Sequence, residues 1–596
     1  MCGIIGYIGK NNALPKLIEG LKKLEYRGYD SAGIAYFHKN NIKIIKSVGR
    51  IQELEKKICF KEQSQLGIGH TRWATHGKVT EKNSHPHQVG KITIVHNGIL
   101  ENYQDLKKIL QEKGYSFKSD TDTEVACAYI DYEYQKNPLH NMSEILKNCM
   151  NTFIGSYAIA IIVEEIPNQL FVMKKDSPLV IGLGTNEIYV ASDISAFADK
   201  VSNYIILEDM EIGILTTNEY QIIKNGKRKM PTLKKIDTKN QSSDKKQFPH
   251  YMLKEIYEQS EKIQLWNTKY LNHIMELPDI SKYKKIHIIG CGTAYHAGMI
   301  GKYLLEEYCN IEVNVFIASE YRYQKLFIDQ NTLVIVVSQS GETADTLSCI
   351  KRVQQYKAHT LGIINTEDSS IARSVEKVIY TKAGQEVAVA STKAYTSQLY
   401  IFSMLAIRLG IINHNLTLAE IKNTYHQLPQ KIKEVIHKNY DNLTSLLWNY
   451  NNIFYLGRNI DYVTMMEGSL KLKEISYIHS EAMPAGELKH GTISLMNEET
   501  CAIVMATKEE LIPKTISNIK ELKARGTKIV LLTLDNLTNS IEKECYDEVI
   551  WIPKMAPYVQ PILNVIPLQI IAYNIAKKRG CDIDKPRNLA KSVTVE

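Results

Sequence analysis

KIHIIGCGTAYHAG, residues 285–298, decides the fold. Its apolar run ends at Gly290, a glycine-bearing turn follows, and the next residues open a helix. Strand, turn and helix in that order begin a parallel α/β unit. The pattern returns as NIFYLGRNIDYVTM at 452–465, with Gly457 matching Gly290. TLVIVVSQSGET at 332–343 aligns with CAIVMATKEELI at 501–512, and TLGIINTEDSSI at 360–371 with KIVLLTLDNLTN at 528–539. The three offsets lie between 167 and 169 residues. A recurring offset is the mark of a duplicated unit. Two copies of one α/β domain are expected, at 284–425 and 450–585, followed by a C-terminal tail at 586–596.

Upstream, HYMLKEIYEQ opens a helical connection over 251–283. Residues 224–250 are charged, polar and without apolar periodicity, which places a linker at 237–250. Residues 1–236 read differently. IIGYI, AGIAYF, IKIIKS, LGIGH, KITIVHNG, SYAIAIIV, QLFVMKK and EIYVAS are strand-like, and Leu14, Leu17, Ile18, Leu21 and Leu24 have helical spacing. Many short strands with few helices predict an α+β domain of antiparallel sheets covered by helices, ahead of the two α/β domains.

Composition sets outer limits. The 596 residues suffice for about three to five domains. The formal charge of +8 arises from 73 basic and 65 acidic residues that are interspersed, with no basic arm, so neither nucleic acid nor a membrane surface is an expected partner. Ten cysteines without C-x-x-C pairs read as reduced thiols of a cytoplasmic protein. MCGIIGYIGK has no signal-peptide pattern, and apolar runs such as 153–163 are too short to span a bilayer.

Cys2 carries a thiol and, once Met1 is removed, the free α-amine of the chain. An amine of pKa roughly 7.7–8 accepts the thiol proton, so one residue supplies nucleophile and base. GHTRWATHG at 69–77 places Arg72, Thr75 and His76 in one loop, where guanidinium and hydroxyl suit an amino acid's α-carboxylate. Asp122, in SDTDTEV, suits the α-ammonium. In HNGILENY the Asn97 side chain and Gly98 N–H face a developing oxyanion, and EYRGYDSAG adds Arg27 and Asp30 in a turn. Each segment alone also reads as a solvated turn or cap; together they point to amide hydrolysis of glutamine. The competing reading is a metal site built from His70, His76, His85, His87 and His96, which fall within 27 residues, but no pair has i, i+4 helical spacing.

SQSGETADT at 338–346 follows a strand and offers hydroxyls and N–H groups at a helix start, a phosphate cradle without the G-K-[ST] of an ATP site. Thr293 and the hydroxyl cluster VASTKAYTSQ at 389–398 add polar groups. Lys471 and Glu474 stand i, i+3 on one helix face, as do Glu487 and His490; either pair is also readable as a surface feature. A ketose–aldose shift needs a carboxylate to carry a proton from carbon 1 to carbon 2 and an acid–base group to open the ring, and Glu474 and His490 fit those tasks.

CGIIGYIG, LEYRGYDSAG, GHTRWATHG, HPH, HNGILEN and TDTE together resemble the N-terminal-nucleophile glutamine amidotransferase domain. The resemblance implies Cys2 as nucleophile, Asn97 and Gly98 as oxyanion hole, and Arg72, Thr75, His76 and Asp122 as glutamine ligands, with Trp73 at the gate for ammonia. SQSGETADT, VASTKA, LKLKEISYIH, AGELKHG and PRNLAKSVTVE are similar to the paired sugar isomerase domains of the glucosamine-6-phosphate synthase family. The resemblance covers essentially the whole chain. It implies Ser338, Gln339, Ser340 and Thr343 around the phosphate of fructose 6-phosphate, and Thr293, Ser391 and Lys471 lining the sugar site. Glu474 is implied as proton carrier, His490 in ring opening, and Lys591 as the amine that forms a Schiff base. No metal or organic cofactor is implied, and the family suggests a homodimer. Two departures stand out. Ala294 replaces the family's serine, which puts one substrate contact in doubt, and Thr492 replaces a proline.

Rival readings share one half each. An amidophosphoribosyltransferase needs an acidic pyrophosphate loop, which is missing. A fructosamine-phosphate deglycase has no use for Cys2, and a sugar-phosphate sensor needs a nucleic-acid reader.

Overall fold

The computed structural model describes residues 2–39, 41–73, 77–137, 139, 141–236, 245–413 and 416–594. By its internal packing the chain divides into two units, Met1–Gln241 with Ala590–Glu596, and Ser242–Leu589. Most of the linker expected at 237–250 lies outside the described residues.

In the first unit the strand Gly3–Gly9 pairs antiparallel with Leu66–Arg72 on one side and Glu187–Ala191 on the other. Side chains alternate across a strand. Ile5 and Tyr7 therefore face the helix Ala13–Leu24, whose Leu14, Leu17 and Leu21 cover that side. Ile4 and Ile8 face a second antiparallel sheet through Val95, Ala158 and Val172. In that sheet Ile92–Leu100 pairs along its length with Gly155–Val163, and the helices Asp122–Lys136 and Met142–Thr152 cover its outer face. The layers are thus helix, sheet, sheet, helix. All eight strand-like runs read from the sequence lie in strands. The structure adds short strands at Val180–Gly184, Asn203–Ile206 and Glu211–Leu215.

The second unit holds two five-stranded parallel sheets of identical topology. In one, Lys285–Gly290 lies between Glu312–Ile317 and Thr332–Ser338, followed outward by His359–Ile364 and Lys377–Tyr380. In the other, Asn452–Gly457 lies between His479–Pro484 and Cys501–Ala506, followed by Lys528–Leu534 and Glu548–Ile552. Both have the order 2-1-3-4-5, whose switch point, beyond the ends of strands 1 and 3, is where such sheets bind ligands. Leu333 pairs with Ile286 as Cys501 pairs with Ile453, so the sheet register slides the sequence alignment of the third strands by one residue. Gln339 and Ser340 then correspond to Thr507 and Lys508.

Each repeat keeps an apolar cluster of its own on one face of its sheet, around Val336 and Ile350 in the first and Val504 and Ile519 in the second, but the other faces share a core. One continuous apolar cluster runs from Met252 to Ile583 and takes residues from both sheets. The helices Thr293–Cys309, Lys393–Asn413, Ile460–Ser476 and Gln560–Lys578 pack on one another within it. The stretch between the repeats is helical: Leu418–Ile436, opened by a capping box at Thr417 and Glu420, and then Asp441–Leu447. Among the described residues no helix is long and apolar enough to cross a membrane.

Candidate active sites

Cys2 immediately precedes the central strand of the first sheet, which fixes its position from one side only. Its thiol sulfur lies 3.4 Å from the Trp73 amide nitrogen and 3.6 Å from the Trp73 carbonyl oxygen. Its carbonyl accepts from Asn97 Nδ2 at 3.1 Å and from Arg27 Nε at 3.2 Å. Arg27, buried and paired with Asp193 at 3.3 Å, therefore holds the nucleophile's backbone. Burial pushes the Cys2 thiol up, against the opposing pull of the Trp73 N–H, Arg72 and Arg27.

Asn97 is oriented from behind. His70 Nε2 donates to Asn97 Oδ1 at 3.1 Å and to the His96 carbonyl at 3.0 Å, which turns the amide nitrogen toward Cys2. The next residue, Gly98, has φ +125, and a Cβ there would lie 2.0 Å from the Ser156 carbonyl oxygen, so only glycine lets the strand turn at this point. Asp122, first residue of its helix and buried, accepts from the Leu100 N–H at 2.8 Å and ties the helix start to the end of the Asn97 strand. Arg72 is buried and donates to the carbonyls of Gly77 at 3.2 Å and Lys78 at 3.4 Å, bracing the loop that follows Trp73. Thr75 and His76 lie outside the described residues.

The other four histidines are packed into the protein. His70 stacks on His85 with ring centroids 4.0 Å apart. His85 Nδ1 accepts from the His96 N–H at 3.3 Å, while Thr123 Oγ1 bridges His85 Nε2 at 3.3 Å and His96 Nδ1 at 3.0 Å. Burial depresses all four imidazoles, that of His70 to about 3. Among the described residues no group of three His, Cys, Asp or Glu side chains is placed to hold a metal ion.

In the second unit the turn from Ser338 to Thr343 lies at the first sheet's switch point. Ser338 ends strand 3; its Oγ accepts from the Gly341 N–H at 2.9 Å and lies 3.4 Å from Thr343 Oγ1. Gly341 has φ +65, and a Cβ there would lie 1.9 Å from Ser369 Oγ. Gln339 anchors the turn through its carbonyl, which accepts from the Thr366 N–H at 3.2 Å. Ser340 Oγ accepts from the Glu342 N–H at 3.2 Å. Ser391, on a neighbouring loop, donates to Glu386 at 2.9 Å.

Thr293, first residue of the helix that follows strand 1, joins a buried polar network with the helix of the second repeat. It donates to Glu467 at 3.0 Å and accepts from Lys471 Nζ at 3.1 Å. Lys471 reaches Glu467 at 3.3 Å and Glu474 at 2.7 Å, and His296 Nδ1 lies 2.7 Å from Glu467. Burial would lower the Lys471 ammonium, but Glu467 and Glu474 outweigh it and hold it well above the ordinary lysine value. Burial likewise opposes ionisation of Glu467, and Lys471, His296 and Thr293 together bring its carboxyl below the usual range. Glu467 and His296 were not among the residues singled out from the sequence. Glu467 had a signal, its i, i+4 spacing to Lys471; His296 had none, since its partner is 171 residues away.

His490 ends the short turn Ala485–His490 and is exposed, outside the Lys471 network. Lys591 is half-buried and belongs, with the tail from Ala590, to the first unit, whereas the remaining sugar-side residues belong to the second.

Comparison with known proteins agrees with this division. Residues 70–199 match the glutamine amidotransferase domain family, and residues 279–408 and 446–578 match the SIS domain family. A glutamine amidotransferase domain joined to paired SIS domains is the class these matches define. Glutamine–fructose-6-phosphate aminotransferase [isomerizing] of Caldanaerobacter subterraneus subsp. tengcongensis is 44% identical, and that of Thermus thermophilus 41% identical, each over 100% of both chains. The solved C-terminal domain of glucosamine-fructose-6-phosphate aminotransferase from Francisella tularensis matches 58% of this chain and 100% of its own, at 34% identity and a TM-score of 0.54. The chain belongs to the glutamine–fructose-6-phosphate aminotransferase (isomerizing) family.

Proposed function

We propose that the chain converts L-glutamine and D-fructose 6-phosphate to L-glutamate and D-glucosamine 6-phosphate, the entry step to amino sugars. The observation that carries this reading is the full-length match to aminotransferases of that name, in a chain that holds both groups of residues.

On the glutamine side, the Cys2 thiol attacks the side-chain carboxamide and its proton passes to the α-amine. A thiol kept protonated by burial needs such a base. Asn97 Nδ2 and the Gly98 N–H stabilise the oxyanion, ammonia leaves, and water hydrolyses the thioester to glutamate. Arg72, Thr75, His76 and Asp122 bind the two ends of the amino acid, and Trp73, beside the thiol, gates ammonia. On the sugar side, Ser338, Gln339, Ser340 and Thr343 bind the phosphate, while Thr293, Ser391 and Lys471 line the sugar. His490 helps open the ring. Lys591 forms an imine at carbon 2, ammonia displaces it, and Glu474 moves a proton from carbon 1 to carbon 2. Keeping ammonia from bulk water keeps it unprotonated and nucleophilic. The working form is a homodimer in the cytoplasm.

Product identification tests this reading. Purified protein given both substrates should yield glucosamine 6-phosphate and glutamate in equal amounts, with glutamate release accelerated by fructose 6-phosphate. Glutamate release indifferent to the sugar, with no amino sugar formed, would overturn it.

A further inference from the structure

The two sheets of the second unit share one topology, yet their switch points are occupied differently. The helix after strand 1 begins at Thr293 in the first repeat and at Ile460 in the second. A Cβ on Gly290 would meet the carbonyl carbon of Ala294 at 2.8 Å, and one on Gly457 that of Asp461 at 2.7 Å. Ala294 and Asp461 are therefore structural equivalents. At the ends of the third strands, Gln339 and Ser340 correspond to Thr507 and Lys508 through the sheet registers.

In the second repeat the Asp461 carboxylate fills the space between strand 3 and the helix. It accepts from the Thr507 N–H at 2.7 Å, the Thr507 hydroxyl at 2.5 Å and the Lys508 N–H at 3.2 Å. Asn564 Nδ2 donates to Thr507 Oγ1 at 2.7 Å, leaving the hydroxyl hydrogen for the carboxylate. Asp461 is only 2% exposed. Two successive N–H groups and a hydroxyl converging on one anion are the donor set of a phosphate cradle. In the first repeat the equivalent residue is Ala294, whose methyl brings no charge.

We propose that Asp461 is a built-in anion that occupies the second repeat's phosphate cradle, so that each chain takes a phosphate monoester only at the first repeat. The inference rests on the reading that Ser338, Gln339, Ser340 and Thr343 hold the sugar phosphate. A carboxylate already seated among the donors excludes a second anion both by volume and by like charge. Asp461 touches none of the groups assigned to the reaction, so its role is to restrict where substrate binds.

Equilibrium dialysis of the full chain with fructose 6-phosphate, and separately with inorganic phosphate, tests the proposal. Wild type should bind one equivalent per chain. Asp461→Ala should bind a second, weaker equivalent, which a further Thr507→Val change should weaken, with synthase kcat unchanged. Phosphate should also raise the melting temperature of Asp461→Ala more than chloride of equal ionic strength does, a readout that serves even if this variant is unstable. In the converse variant, Ala294→Asp, the plug is moved to the first repeat. KM for fructose 6-phosphate should rise at least about 100-fold, as expected for like charges brought together in a buried site, while basal glutamine hydrolysis is kept. Two equivalents on wild type, or a folded Asp461→Ala with one equivalent and no phosphate-specific stabilisation, would overturn the proposal. So would Ala294→Asp with unchanged KM. Absence of any phosphate binding to wild type would instead strike at the assignment of the first cradle.

Discussion

The Lys471 ammonium meets the Glu474 carboxylate at 2.7 Å one helical turn away, and the same nitrogen reaches Glu467 at 3.3 Å. Lys471 and Glu467 are almost completely buried, while Glu474 is partly accessible. One cation is thus shared between a carboxylate locked in the interior and one that is partly accessible. The arrangement keeps Glu474 oriented without burying it.

Glu474→Gln keeps the shape and an oxygen for Lys471 but cannot carry a proton. Glucosamine 6-phosphate formation should fall by roughly 10²–10⁴-fold, the usual worth of general acid–base catalysis. Glutamine hydrolysis and the melting temperature should change little. Lys471→Met should behave differently, because it takes from buried Glu467 its lysine partner and leaves only His296 and Thr293; a loss of about 3 kcal/mol of stability is expected. Chemical denaturation of both variants separates the two effects, and a Glu474→Gln enzyme with wild-type turnover would refute the proton-carrier role.

Cys2→Ala should abolish glutamine hydrolysis and spare sugar-phosphate isomerisation, since every sugar-side residue except the tail Lys591 lies in the other unit. A protein that retains Met1, or carries a tag ahead of Cys2, should also fail at glutamine, because an amide nitrogen cannot accept the thiol proton. Mass spectrometry reports the processing and an amidase assay the consequence. Full activity with Met1 attached would count against the α-amine as base.

Lys591→Arg should abolish amino-sugar formation. Arginine keeps the charge but stays protonated and cannot form an imine. Borohydride in the presence of fructose 6-phosphate should label Lys591 in wild type and nothing in the variant, with basal glutamine hydrolysis surviving. Near-normal product formation by the variant would return Lys591 to the status of an ordinary tail lysine.

The buried histidines predict an acid limit for the first unit. Burial, with the nearby positive charge of Arg72 adding to it, holds His70 at about 3, and burial holds His85 and His87 well below their ordinary value. The unfolded chain takes up these protons near pH 6.5, whereas folded His70 resists them down to about pH 3. Stability is therefore complete above about pH 6.5 and falls as pH drops through that window, by about 1.4 kcal/mol per pH unit for each such histidine. Denaturation followed from about pH 7 to about pH 5 should show this slope, and His70→Gln should make it shallower. A flat profile would show that these imidazoles are not neutral because of burial.

Local pattern carried much of the fold. The eight strand runs of the first unit were legible because each alternates or is nearly continuously apolar over four or more residues. Val180–Gly184 and Asn203–Ile206 were not; they are short, and their identity as strands comes from pairing with each other and with Glu187–Ala191. The duplication was legible from its constant offset, but its register was off by one residue at the third strand, where apolar runs match equally well in either alignment. Sites followed the same rule. Thr293, Ser338 and Lys471 stood out within motifs, whereas Arg27's hold on the Cys2 carbonyl and His296's contact with Glu467 arise only when distant segments meet. Asp461 was invisible as a functional residue because its significance lies in comparison with Ala294, not in its own neighbourhood.

The apolar cluster that runs from Met252 to Ile583 has a consequence for ancestry. Each copy closes one face of its sheet by itself, but on the other face the helices of one are the lining of the other. Neither half remains a portable module: cutting the chain between Asn413 and Asn452 would expose two complementary greasy surfaces rather than liberate two domains. What began as a doubling has become a single inheritable piece, free to let its halves diverge in task but no longer free to let them part.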